Sequence, residues 1–261
     1  MLVAERQKKI VELVNKRLSI RVSELSDIFS VTEETIRRDL EKLEKEHKLS
    51  RSHGGAVSIQ QQESEIHFSE REITNVIEKK AIAHEAAKYV KSGDRIILDA
   101  STTAWYMAKI LPDIELTVIT NSMKAAFELS KKQKISVIST GGILLTKSLS
   151  FAGPLAERSL ETYHVNKTFL SCQGFDMEHG MSDSNEWQAL LKIRMIERSD
   201  QTILMADSSK WGNREFSHIA SLQDVSCIIT DSGLDPVSVK ALEEKNVKVT
   251  AVPLPKERVK E

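Results

Sequence analysis

The sequence predicts an α/β protein in two parts, a small helical N-terminal domain and a larger domain built on a mainly parallel sheet. Two short amphipathic helical segments, 21–29 and 32–43, are separated by only Ser30 and Val31. Beyond about residue 75, short apolar runs alternate with helical patterns, as in a sheet covered by helices. The 261 residues exceed one small domain and suit a small plus a medium domain, each able to bury a core.

The N-terminal part is organised around Thr32–Leu43. Ile36, Leu40 and Leu43 recur at i, i+4 and i+7, so they share one side of a helix. Glu34, Arg38, Glu41 and Lys45 point away from that ridge, with Thr35, Arg37 and Lys42 on the flanks. Thr32 suits the N-cap, and Glu33 and Glu34 suit the positive end of the dipole. The preceding segment carries Val22, Leu25, Ile28 and Phe29, with Ser23 expected as its cap. Two helices on so tight a turn predict a helix-turn-helix, whose second helix lies in the major groove. Leu49–Val57 reads as a basic β-hairpin with a Gly-Gly turn, the wing. Thr32, Glu34, Thr35, Arg37, Arg38, Lys42, Arg51 and His53 are therefore the expected DNA-contacting set. A first helix over 5–16 packs Ile10, Leu13 and Val14 behind this pair, while Arg6, Lys8 and Lys9 are expected to be solvated.

The run Thr-Ile-Arg-Arg-Asp-Leu-Glu-Lys-Leu at 35–43, followed by Arg-Ser-His-Gly-Gly-Ala at 51–56, resembles the signature of the DeoR family of bacterial transcription regulators. Where the family usually carries Gly after the recognition helix, His47 stands here. The resemblance implies a C-terminal domain similar to ribose-5-phosphate isomerase that senses a sugar phosphate.

The domains are expected at 1–57 and 75–261, joined by a linker over 58–74 whose first half is polar and Gln-rich. A net charge of −1 and a pI near 6.7 exclude a polycation that coats nucleic acid, so DNA binding must be local. Cys172 and Cys227 sit in apolar runs without metal spacing and read as free buried thiols. With no signal-like N-terminus and no apolar run of membrane length, a cytoplasmic protein without membrane association is expected.

In the second domain the expected order is helix 75–90, strand 95–98, helix 103–111, strand 117–119, helix 122–131 and strand 135–139. Strand 168–171, helix 185–198, strands 202–205 and 227–230, helix 236–245 and strand 248–252 follow. Ligands of such sheets bind outside the carboxyl ends of the strands. Five strand ends here carry cap-like polar runs, 99–103, 120–122, 140–142, 171–176 and 206–210. Each alone is ordinary turn chemistry; together they suit one pocket for a phosphorylated polyol. Carried over from the resemblance, the effector residues are Asp99, Ser101, Thr102, Thr103, Thr120, Asn121, Ser122, Gly141, Gly142, Gly174, Asp176, Asp207 and Lys210. Ser101 departs from the Gly found in many members. The run 99–114 resembles members that control use of deoxyhexoses such as fucose or rhamnose, which implies a deoxyketose phosphate. Trp105 and Tyr106 either flank the sugar or pack. No cofactor and no metal is expected.

A helix-turn-helix reads a half-site, so a homo-oligomer, dimer or tetramer, is expected on repeated operator DNA. The resemblance implies repression relieved by the effector as the family's usual mode, with activators also among its members, and the sequence does not give the sign. The alternative is a sugar-phosphate isomerase with an appended DNA-binding domain. Against it, the lysine of the isomerase Lys-Gly-Gly-Gly run has no counterpart in 179–186, although Glu186 remains.

Overall fold

The computed structural model describes residues 3–17, 19–46, 48–52, 54–57 and 65–255. The chain divides into two compact units, Met1–Glu65 with Ser184–Glu186, and Ile66–Asp183 with Trp187–Glu261.

The smaller unit contains α1 (Val3–Arg17), β1 (Ser19–Arg21), α2 (Val22–Phe29), α3 (Glu33–Lys45), β2 (Ser50–Ser52) and β3 (Gly55–Val57). The predicted apolar ridge is its core: Ile36, Leu40 and Leu43 are buried with Ile10, Val14, Leu25 and Leu49. Ile28, grouped with that face from its spacing, is instead exposed. Ser30 closes the turn between α2 and α3 in the left-handed conformation, φ 51°. Thr32 caps α3, accepting from the Thr35 amide at 3.3 Å. Ser23 is no cap, because α2 already begins at Val22 behind Arg21.

Arg6 is also not solvated as expected. It is buried and donates from Nε to Asp39 at 2.6 Å, while Gln7 Nε2 donates to the other Asp39 oxygen at 2.8 Å. The inward side of α3 thus carries a carboxylate keyed to α1. The three short strands pair antiparallel in the order β1-β3-β2. Gly55 is required there, since a Cβ would stand 2.1 Å from the Ile20 carbonyl oxygen. His47 and His53 lie outside the described residues.

In the larger unit seven parallel strands form the order β15-β14-β12-β9-β4-β5-β6. They are β4 (Arg95–Leu98), β5 (Leu116–Thr120), β6 (Ile135–Ser139), β9 (Val165–Leu170), β12 (Ser199–Met205), β14 (Cys227–Asp231) and β15 (Val249–Val252). Two further groups of strands, unforeseen because each strand is only three or four residues long, are β7 (Ile143–Leu145) with β8 (Ser150–Ala152), and β10 (Gly174–Asp176) with β11 (Gly180–Asp183) and β13 (Ser217–Ala220). The helices are α4 (Phe68–Ile73), α5 (Val76–Ala87), α6 (Thr102–Ile110), α7 (Met123–Leu129), α8 (Pro154–Leu160), α9 (Glu186–Glu197) and α10 (Pro236–Glu244). Helix α4 lies within the stretch expected to be linker and buries Phe68.

Period-two alternation sorts the sheet's residues to its two faces. Ile96, Leu98 and Val118 pack with Ile82, Ala86 and Met107 from α5 and α6, whereas Ile97 and Ile119 pack with Leu160, Leu191 and Met195 from α8 and α9. From β4 the chain steps outward through β5 and β6; from β9 it steps the other way through β12, β14 and β15. The order reverses between β4 and β9, and the carboxyl ends at such a reversal are where sheets of this kind hold their ligands.

Candidate functional site

Asp99 follows β4 and lies at that reversal. It is fully buried, accepting from the Ser101 amide at 3.1 Å and from the Ser171 amide at 2.9 Å, so it ties the ends of β4 and β9 together. Lys192 of α9 approaches the same carboxylate at 3.6 Å and donates to Asp183 at 2.6 Å. Burial would lower the Lys192 pKa, but Asp183 and Asp99 outweigh it and hold the ammonium above its ordinary value. Ser101 caps α6, accepting from the Ala104 amide at 3.0 Å, and places buried Thr102 and Thr103 in the first turn.

Charge concentrates beside this loop. Lys210 donates to Ser171 Oγ at 2.9 Å. Asp207, after β12, accepts from Asn75 Nδ2 at 2.9 Å and from Ser209 Oγ. Burial works against ionisation of Asp207, but Lys210, Ser209 and Asn75 outweigh it and lower its pKa. Asn75 spends its side chain on Asp207 and Ser209 while sitting at φ 49° before α5, whose first turn it therefore leaves without a side-chain cap. Lys79, 5 % exposed, donates to the Arg71 and Thr74 carbonyls at 2.7 Å each. Burial first, then the positive charges of Lys210 and Arg71, push its pKa down to about 8 against the pull of Asp207. Arg71 keeps Nε and Nη2 buried with no hydrogen-bond partner among the described residues. Lys79 and Lys210 thus flank one carboxylate, with Arg71 beside Lys79, an arrangement suited to a multiply charged anion.

The neighbouring strand end is roofed by the β7–β8 hairpin. Thr120 Oγ1 accepts from the Ser122 amide at 3.0 Å, and Ser122 caps α7 through the Ala125 amide at 3.1 Å. Asn121 donates to the Phe151 carbonyl at 3.0 Å, and the Phe151 amide returns a bond to the Asn121 carbonyl at 2.7 Å. Gln188 of α9 reaches the same roof, donating to Ser150 Oγ at 2.5 Å and Ser148 Oγ at 3.2 Å.

Of the residues expected at the effector site, hydrogen bonds link Asp99 to Ser101 and Ser171, and Ser171 to Lys210, with Asp207 beside Lys210; Thr102 and Thr103 follow Ser101, and Thr120, Asn121 and Ser122 close the neighbouring strand β5. Gly141 and Gly142 turn the chain after β6, and a Cβ on Gly142 would meet the Ala152 carbonyl at 2.6 Å. Gly174 is pressed against the Asn213 carbonyl, where a Cβ would come within 2.3 Å. Asp176 closes the β10–β11 turn by accepting from the Glu178 and His179 amides at 2.7 Å. Packing and turn geometry account for those last four. Trp105 packs edge-on against Phe68, and Tyr106 donates to the Glu72 carbonyl at 2.8 Å, so both serve the helical layer.

Arg71, Asn75, Lys79 and Lys192 escaped the sequence reading. Two carried a legible signal, a lysine inside an apolar stripe: Lys79 precedes Ile82, Ala83 and Ala86 at i+3, i+4 and i+7, and Lys192 lies between Ala189 and Met195. Arg71 fell in the supposed linker, and Asn75 at the first residue of the expected helix 75–90. Cys172 and Cys227 are free and buried, and burial pushes the Cys172 thiol up to about 12. Among the described residues there is no cluster of metal-ligating side chains, and no helix is long and apolar enough to cross a membrane.

On the DNA-binding unit, Thr32, Glu34, Arg37, Arg38 and Lys42 are exposed along α3, with Thr35 half-buried beside Thr32 and Arg51 exposed on the wing. Arg37 pairs with Glu33 at 2.8 Å and Arg38 with Glu34 at 3.4 Å, each one turn apart.

A winged helix-turn-helix followed by an α/β unit of this topology defines a transcription regulator with a sensor domain. Residues 6–62 match the DeoR-like helix-turn-helix domain, and residues 74–232 match the DeoR C-terminal sensor domain. The chain belongs to the DeoR family. It is 92% identical over 256 residues, 98% of this chain and 99% of the relative, to the Bacillus subtilis (strain 168) protein described as the uncharacterized HTH-type transcriptional regulator YulB. It is 37% identical over 242 residues, 93% of this chain and 97% of the relative, to the L-fucose operon activator of Haemophilus influenzae. Ribose 5-phosphate isomerase A from Methanocaldococcus jannaschii overlaps 51% of this chain and 53% of its own at TM-score 0.38 and 18% identity, a partial likeness that bears on neither ligand nor chemistry.

Proposed function

We propose that the protein is a cytoplasmic repressor of a carbohydrate-utilisation operon, binding operator DNA as a homo-oligomer and released when a phosphorylated sugar fills the strand-end crevice. The observation that carries this is Lys79 and Lys210 beside Asp207, with the unpartnered guanidinium nitrogens of Arg71 next to Lys79, a surplus of positive charge that suits a phosphate dianion. The hydroxyl-rich loops beside it suit a polyol, and a deoxyketose phosphate is the proposed class, supported by the L-fucose operon relative. The outward residues of α3 and Arg51 are the proposed DNA contacts. An effector shifts occupancy only through unequal affinity for the DNA-competent and DNA-incompetent states.

A thermal-shift screen against sugar phosphates, followed by release of an in vitro selected operator duplex, tests this reading. One ketose phosphate is expected to raise the melting temperature and dissociate the complex. Tighter DNA binding with the same ligand would reverse the proposed sign, the sense in which the Haemophilus relative is named. The protein is read as non-catalytic. Saturated with its ligand in deuterium oxide, it is expected to leave the ligand's C2 proton signal unchanged, and exchange lost in Glu186→Gln would make the domain an isomerase.

A further inference from the structure

Resting on the sugar-phosphate reading, we propose that Asn121 is the specificity-determining residue that recognises one particular hydroxyl of the effector by accepting its hydrogen. Asn121 is 1 % exposed, and its Oδ1 has no hydrogen-bond partner among the described residues. The amide is not free to turn over, since Nδ2 is engaged by the Phe151 carbonyl at 3.0 Å, with Gln188 Oε1 a further acceptor at 3.5 Å. Reversal would face the carboxamide oxygen with two acceptors. Gln188 is itself fixed on Ser148 and Ser150, so the roof hairpin and α9 together set the direction of the oxygen.

A buried acceptor left without a donor destabilises its site, and a ligand hydroxyl in its place recovers that loss. Asn121 Oδ1 therefore calls for a donor, which a polyol hydroxyl supplies, whereas a ligand carboxylate at that place would oppose oxygen to oxygen. The class selected is a sugar phosphate carrying a hydroxyl at the carbon that reaches Asn121, with deoxygenation tolerated elsewhere.

Full-length protein is titrated calorimetrically with fructose 1-phosphate, fuculose 1-phosphate and rhamnulose 1-phosphate, with the monodeoxy analogues of whichever binds tightest, and with inorganic phosphate. Wild type is expected to prefer the parent over one analogue by about tenfold or more. Asn121→Ala should bind that pair alike while keeping its affinity for inorganic phosphate. Asn121→Ser also removes the carboxamide oxygen but sets no acceptor against the Phe151 carbonyl, so it should lose the preference too and decides the matter alone if the alanine variant does not fold. A preference that persists in either variant, or is absent from wild type, overturns the proposal. Wild-type protein that binds none of the three sugar phosphates overturns the functional reading on which it rests.

Discussion

Replacing Lys79 by Met separates the cost of a buried charge from its use. The ammonium's pKa falls from 10.5 to about 8, so holding it charged at pH 7 costs the folded protein about 3 kcal/mol. Between those two values the unfolded chain binds more protons than the folded one. The penalty is therefore fully present below pH 8, and stability should climb as pH rises from 8 towards 10. Met removes the penalty but strands the Arg71 and Thr74 carbonyls, a loss of about 1–3 kcal/mol for an unsatisfied buried group. The two effects offset, and Lys79→Met should fold with near wild-type stability at pH 7 and without the climb above pH 8. Sugar-phosphate affinity should drop roughly ten- to hundredfold, the worth of one charge-assisted hydrogen bond. Urea denaturation from pH 7 to 10 and calorimetric titration measure both. Flat wild-type stability across that range, or a variant destabilised by more than about 3 kcal/mol at pH 7, would refute the charge argument.

On the DNA side, Arg38→Ala should relax base preference at one operator position by about 1–3 kcal/mol, whereas Arg51→Ala should weaken all sequences alike and flatten the salt dependence; competition binding at two salt concentrations separates them. Asp39→Ala leaves Arg6 buried without its partner and should cost about 3–5 kcal/mol in chemical denaturation, more than loss of the exposed Glu33 on the same helix. Thr102→Val with Thr103→Val should leave operator binding intact and blunt release by the sugar phosphate, read by anisotropy of a labelled duplex.

Long periodic segments were legible because they obey one period over many residues. The ridge of α3, the parallel strands and most of their covering helices follow from apolar spacing alone, but the seven-residue α8 does not. The short antiparallel strands did not, since three or four residues cannot establish alternation, and Gly142, Gly174 and Gly180 there answer to backbone approaches of distant segments. Helix α4 was lost for a similar reason: its six residues carry one buried anchor, Phe68. The strand-end loops announced themselves through cap residues, but which of them share a crevice depends on strand order. Asp99 and Ser171 are 72 positions apart and meet only because β4 and β9 are neighbours. The cations from α4 and α5 were invisible as a group, because charge surplus is a property of three-dimensional neighbours.

The inward carboxylate of α3 has an evolutionary consequence. Asp39 is locked to Arg6 and Gln7, while the outward arginines are each matched by a glutamate one turn earlier on the same helix. Helix α3 is oriented from behind, and the contacts proposed to face DNA are balanced within the helix that carries them. Outward pairs can therefore be exchanged as units without disturbing the scaffold. A lineage with this arrangement can re-address its promoters while its architecture stays still.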